Sequence, residues 1–281
     1  MLHRPLAALV AALFVLVAPA SAATAAAPKR IVSLSPTATE SLFAIGAGRQ
    51  VIAVDDQSDY PKHAPQTKLS GFTPNVEAIA SYRPDLVVIQ YDPGSLVSSL
   101  ERLKIRVLVQ PAAENLGQAY AQIRQLGNVT GHVEQSKRVV RRIQRGLARE
   151  LRSAPRRSFT VYHEVTPDLY SATSKTFVGR IYSLFGLRNV ADAADSTGTG
   201  YPKLSNEYIV ASNPSLIVLA DSKCCAQTRA TVSSRPGWSG MTAVRNRAIV
   251  IADDSIASRW GPRIVNFARA IGSALRTIGG Q

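Results

Sequence analysis

Glu77-Ala78-Ile79-Ala80-Ser81-Tyr82-Arg83-Pro84-Asp85-Leu86-Val87-Val88 and Glu207-Tyr208-Ile209-Val210-Ala211-Ser212-Asn213-Pro214-Ser215-Leu216-Ile217-Val218 follow one scheme, E-x-I-x4-P-x-L-x-V. Five positions match at one fixed shift along the chain. Each copy reads as a short helix that stops ahead of a proline, then a strand whose apolar run suits the middle of a sheet. Helix–proline–strand junctions are common, but five matches at one shift predict two lobes of similar build. A cleft between the lobes is then the natural ligand site.

The sequence around the copies supports this. Residues 30–34 form a β-rich run, followed by Ser35-Pro36-Thr37 and an amphipathic stretch ending at Gly46, with Ser35 or Thr37 placed to cap a helix. Further strands are expected at 51–54, 86–89 and 107–109, with helices at 76–80 and 95–103. Short strands alternating with helices imply a parallel sheet covered on both faces. From about Leu116 to Leu151 the pattern changes. Val139, Val140, Ile143 and Leu147 recur at helical spacing among Lys137, Arg138, Arg141, Arg142, Arg145 and Arg149, and Ala154-Pro155 ends the stretch. Its basic side reads as a solvated face. A helix this long, rising about 1.5 Å per residue, can cross from one lobe to the other. Alternation resumes at 159–163, 176–184, 216–219 and 249–251, and an amphipathic helix at 262–278 closes the chain. The expected partition is an N-terminal lobe at 28–126, a linking helix at 127–154 and a C-terminal lobe at 155–279.

Residues 1–22 carry one early charge, Arg4, then an apolar run from Pro5 through Ala20 that ends in the A-x-A pattern Ala20-Ser21-Ala22. The run falls short of the roughly 20 residues of a membrane span, so a cleaved signal peptide is expected. The protein would then work in the periplasm or another extracytoplasmic space, and with no cysteine near the cleavage site no lipid anchor is expected there. The net charge of +14 is spread along the chain apart from a dense run at 137–157, with no zinc-finger spacing or RNA-binding motif. Nucleic acid is therefore not expected, and attraction to an anionic envelope accounts for the charge. The two cysteines, Cys224 and Cys225, are neighbours. An adjacent-residue disulfide, free thiols and a ligand contact all remain open, while the lack of a nearby Cys or His partner argues against a metal site.

Arg30-Ile31-Val32-Ser33-Leu34-Ser35-Pro36 with Thr39-Glu40, then Ser58-Asp59-Tyr60-Pro61, Asn75-Val76-Glu77-Ala78-Ile79, Pro84-Asp85-Leu86-Val87 and Arg259-x-Gly261-Pro262-Arg263 occur in order. Taken together they resemble the vitamin B12, ferric-siderophore and haem type of ABC-transporter substrate-binding protein, over nearly the whole chain from about Lys29 to Ile278. The resemblance implies the class III periplasmic-binding-protein fold, two Rossmann-like α/β lobes joined by one long α-helix with little hinge motion. It also implies a metal-chelate ligand (corrinoid, ferric siderophore or haem) rather than a resident cofactor. The implied partners are a permease dimer with its ATPase, met by a monomer. Glu77 and Glu207 fall where this family carries one docking glutamate per lobe, facing permease arginines. Each also suits the first turn of a helix, where a carboxylate offsets the dipole.

Ser58-Asp59-Tyr60-Pro61 looks most like the vitamin B12 binders, whose cleft is lined with aromatics. The matching positions are Tyr60, Phe72, Tyr91, Tyr162 and Tyr201, with Trp260 a further candidate. Flat rings suit a large corrin face. The chain has Phe or Tyr where those binders often carry Trp. His163 ends an expected strand, as an axial metal ligand can, and Arg259 and Arg263 suit an anionic ligand group. An enzyme is not expected: there is no G-x-S-x-G, none of His63, His132 and His163 sits in a catalytic motif, and Gly46-Ala47-Gly48 is an isolated G-x-G.

Overall fold

The computed structural model describes residues 26–155 and 157–280, so the expected signal peptide lies outside the described residues. The N-terminal lobe comprises β1 (Ile31–Leu34), α1 (Pro36–Ala44), β2 (Val51–Val54), α2 (Val76–Ser81), β3 (Leu86–Ile89), α3 (Leu96–Arg102) and β4 (Arg106–Val109). Two helices follow, α4 (Leu116–Thr130) and α5 (Val133–Ser153). The C-terminal lobe opens with β5 (Thr160–Glu164), α6 (Phe177–Leu184), β6 (Arg188–Asn189), α7 (Asn206–Ser212) and β7 (Leu216–Leu219). It ends with α8 (Ser222–Cys225), α9 (Arg229–Ser233), α10 (Thr242–Arg245), β8 (Ile249–Ile251), α11 (Asp254–Ala257) and α12 (Ile264–Gly279).

Each lobe holds one four-stranded parallel sheet, in the orders β2-β1-β3-β4 and β6-β5-β7-β8. The repeat seen in the sequence is thus a repeat of topology. Its two strands, β3 and β7, are buried along their whole length, as strands covered on both faces must be. The helices ahead of them are capped alike: the Asn75 side chain accepts from the N–H of Ala78, and that of Ser205 from Tyr208. The two-residue β6 was not expected, because so short a strand shows no periodicity.

The linking element is α5, and it starts at Val133 rather than at 127. Gly131, at φ 78°, ends α4 in the left-handed conformation that glycine tolerates, and His132 turns the chain. At Gly127 a Cβ would collide with Ser136 Oγ, so glycine there lets α4 and α5 lie close together. The basic side of α5 faces solvent, as expected, while Val139, Val140, Ile143 and Leu147 are buried with α12 residues Phe267 and Ile271 in the principal core. No described helix is long and apolar enough to cross a membrane.

Both sheets change winding direction between their first and third strands, so each has a crevice at the carboxyl ends of that pair, where α/β sheets receive ligands. The crevice of the N-terminal lobe lies after β1 and β3, and that of the C-terminal lobe after β5 and β7. Helices in such units run back against the strands, which brings the first turns of α2 and α7, with exposed Glu77 and Glu207, to the same edge.

Candidate functional site

The N-terminal crevice is open. Leu34 at the end of β1, Pro36 and Thr37 after it, Asp55 and Gln57 after β2, and Gln90 and Tyr91 after β3 line a concavity of about 260 Å³ with Phe72, Arg259 and Trp260. Trp260 also walls a second concavity, about 300 Å³, formed by Glu114, Lys175, Phe177 and the Gly198–Tyr201 loop. The indole is held by its N–H, which donates to Gln122 on α4 at 2.7 Å. The two hollows therefore form one cleft between the lobes, divided by Trp260. Phe72 is 68% exposed at its rim, and Tyr91 and Tyr201 are also exposed. Large apolar groups left in water around a hollow mark a binding surface.

The C-terminal crevice is filled by the chain itself. Glu164, the last residue of β5, takes two hydrogen bonds from Arg235, at 2.6 and 2.7 Å, and a third from the Tyr162 hydroxyl at 3.0 Å. Arg235 lies over the Trp238 ring and also donates to Gln227. Asp221, just past β7, is fully buried and neither carboxyl oxygen has a partner. Burial, then the charge of Glu164 beside it, pushes its pKa well above the usual carboxylate range.

Several expected site residues stand elsewhere. Tyr162 and His163 lie inside the C-terminal lobe: β5 is a central strand, so neither face of it reaches the cleft. His163 Nδ1 bonds the Tyr182 hydroxyl at 2.6 Å, and burial lowers its pKa to about 4, which keeps the ring neutral. Arg259 and Arg263 are already paired. Arg259 donates to Glu40 at 2.9 Å, to Asp59 at 2.7 Å and to the Gln57 carbonyl, and Arg263 forks onto both oxygens of Glu40. These bonds tie the segment ahead of α12 to the N-terminal lobe. Tyr60 sits under Arg263, 4.2 Å from ring centroid to guanidinium, in a neighbouring hollow with Pro61 and His63. The cleft thus gathers Phe72, Tyr91, Tyr201, Trp260 and the edge of Arg259, and leaves out Tyr60, Tyr162, His163 and Arg263.

Cys224 and Cys225 are joined as an adjacent-residue disulfide. Their helix is held by Asp254, which accepts from the N–H groups of Ser222, Lys223 and Cys224. Lys223 bonds Asp253 at 2.6 Å and reaches to 3.9 Å from Asp59 across the lobes.

Asp55, which sequence reasoning missed, lies on the floor of the N-terminal hollow. It is 1% exposed, its Oδ1 has no partner, and its pKa rises to about 6. Burial is the main cause. A bond with Ser58 opposes it, Asp56 adds to it and the Arg259 charge opposes it. Because the folded carboxyl holds its proton more tightly than the ordinary 3.8, folding gains stability as pH falls through 6 toward 4. At pH 8 the ionised group costs on the order of 3 kcal/mol. Asp55→Asn is accordingly expected to raise Tm by several degrees at pH 8 and by about a third as much at pH 4.5. Thermal melts of both proteins across that range check this, and a difference independent of pH would refute it.

The profile of the periplasmic binding proteins matches residues 31–256. The chain belongs to the periplasmic binding protein family. YvrC of Bacillus subtilis, an uncharacterised ABC transporter substrate-binding lipoprotein, is 29% identical over 249 residues, spanning 85% of this chain and 77% of its own. The vitamin B12-binding protein of Pectobacterium atrosepticum is 30% identical over 267 residues, 90% of each chain. Among solved structures, the periplasmic heme-binding protein RhuT from Roseiflexus sp. RS-1, in its apo form, superposes with a TM-score of 0.77 at 22% identity. It covers 89% of this chain and 98% of its own, a likeness of fold. The two Rossmann-like lobes and the joining helix are those of a class III periplasmic binding protein. A periplasmic binding protein of the ABC type implies a permease and ATPase as partners.

Proposed function

We propose that this periplasmic binding protein captures a corrinoid between its lobes and delivers it to an ABC importer. The observation that carries the reading is the composition of the cleft: Phe72, Tyr91, Tyr201 and Trp260 stand around two joined hollows, and Gln57 and Gln90 also line the first of them. Rings suit the flat apolar face of a corrin, and carboxamides suit its amide-bearing rim. The vitamin B12-binding relative adds support over most of both chains. A ferric siderophore or haem is the second reading, favoured by Tyr201, a half-exposed tyrosine at the second hollow, since a tyrosine oxygen can ligate ferric iron. Glu77 and Glu207 serve as the docking pair.

Titration with cyanocobalamin, dicyanocobinamide, haemin and ferric siderophores, followed by Trp260 fluorescence and the ligand's visible spectrum, tests the reading. Trp238 is buried in the C-terminal lobe, so Trp260→Phe should remove most of the quenching. Saturable one-to-one corrinoid binding at micromolar or tighter affinity is expected. Tight haemin or siderophore binding with none of corrinoid would transfer the site to the second reading, and no binding at all would sink both.

A further inference from the structure

We propose that Asp55 accepts a hydrogen bond from an amide on the rim of the bound corrinoid, and that it thereby sets the cleft against macrocycles rimmed by carboxylates. The inference rests on the corrinoid reading above and names the group that would choose among flat tetrapyrroles.

Three observations converge on this residue. Asp55 is buried at the end of β2, yet it faces the hollow that holds Phe72, Tyr91 and Trp260. A buried carboxyl oxygen with nothing to accept from costs free energy, and a fold keeps such an atom where something else completes it. Asp221 and Asp195 also carry unpaired buried carboxyl oxygens, but Asp221 stands in the crevice already filled by Arg235 and Asp195 lines neither hollow, whereas the crevice beside Asp55 is open. Space has also been left for it. A Cβ on Gly71 would stand 2.8 Å from Asp55 Oδ2 and 2.8 Å from the Leu34 carbonyl, so this stretch of the wall tolerates only glycine.

Charge sets the direction of the choice. The protein as a whole carries +14, but among the described residues the only charged groups lining this hollow are Asp55 and Arg259. Asp56 adjoins Asp55, and the nearest cation, Arg259, is already shared between Glu40 and Asp59. A carboxylate brought to Asp55 meets a like charge with no free counter-charge, whereas an amide N–H finds an acceptor. Corrin and haem both offer a flat face to the aromatic rings, but the corrin rim carries acetamide and propionamide arms and the haem rim carries propionates. The rings therefore hold either macrocycle and Asp55 distinguishes them. A site built to pair with a polar group rejects the analogue lacking it far more strongly than an apolar wall can.

The test compares dicyanocobinamide with dicyanocobyrinic acid, in which the rim amides are carboxylates, on wild type, Asp55→Leu and Asp55→Asn at pH 7.5. Wild type is expected to bind the amide form at least about tenfold tighter, which corresponds to about 1.4 kcal/mol. Asp55→Leu should lose about tenfold or more in affinity for the amide form, as a ligand N–H is left without its partner. Asp55→Asn, which keeps an acceptor oxygen and drops the charge, should retain that affinity within a few-fold and narrow the discrimination against the carboxylate form. Circular dichroism and melting of each variant confirm folding, and Asp55→Asn alone suffices if the leucine variant does not fold. Equal binding of both forms by wild type, or unchanged discrimination in Asp55→Asn, overturns the role of Asp55 while leaving the corrinoid reading intact. Failure of wild type to bind any corrinoid overturns both.

Discussion

Glu40→Ala is expected to lower stability by about 3–5 kcal/mol and to loosen the lobes against each other. Glu40 is 3% exposed and accepts from Arg259 Nη1 and from Arg263 Nε and Nη2. Its removal leaves Arg259 with Asp59 and the Gln57 carbonyl, but it strips Arg263 of its hydrogen-bond partner and leaves that guanidinium stacked on Tyr60. The loss comes from stranding a part-buried cation, so a variant that also replaces Arg263 by Met should recover much of it. Because the two arginines precede α12 while Glu40 belongs to α1, the break falls between the lobes. Hydrogen exchange should accelerate in residues 255–265 and along α1, and cleft affinity should fall. Denaturant unfolding of the single and double variants decides the matter. A loss below about 1 kcal/mol would show that the cluster contributes little to holding the lobes.

The second large effect concerns delivery. Glu77→Lys with Glu207→Lys is expected to reduce uptake by at least about a hundredfold and to leave ligand affinity in solution unchanged. Close interfacial charge pairs couple by roughly 1.5–7 kcal/mol, and reversing a sign turns that attraction into repulsion. Both residues are exposed at the second position of their helices and make no described hydrogen bond or ion pair, so the fold itself loses only the dipole interaction, about 0.3–1 kcal/mol each. Uptake assays in cells or in vesicles containing the importer, beside titrations of the purified protein, separate the two quantities. Wild-type uptake by the double variant would remove both glutamates from the docking role.

The architecture was legible because its period was. The repeat around Pro84 and Pro214 announced β3 and β7, and the residues of α5 that pack inward were those spaced for it. The start of α5 was not legible, since Gly127 and Gly131 sit in a continuous helical pattern and only the second stops the helix. Phe72, Tyr91, Tyr201 and Trp260 were readable as cleft residues from the resemblance. Tyr162 and His163 misled because a strand buried on both faces has no outward side. The pairing of Arg259 and Arg263 with Glu40 joins residues 219 and 223 positions apart, a contact no local pattern encodes. Asp55 was visible as an acid at a strand's carboxyl end, but that Oδ1 would be left unpaired depends on Gly71 and on the partners of Arg259.

The likeness of the two lobes has a consequence for the encounter with a partner. Glu77 and Glu207 are exposed at the same position of matching helices, so to the extent that a half-turn relates the two lobes it brings each where the other was. Against a partner with a true two-fold axis, two approaches are then nearly degenerate. That doubling of acceptable orientations favours association by about 0.4 kcal/mol, RT ln 2. The cargo lacks this symmetry, because an open hollow faces a plugged one. If the two glutamates dock as proposed, two successive deliveries present the same molecule to the channel in opposite senses, and a channel serving this protein then has to accept its passenger from either end.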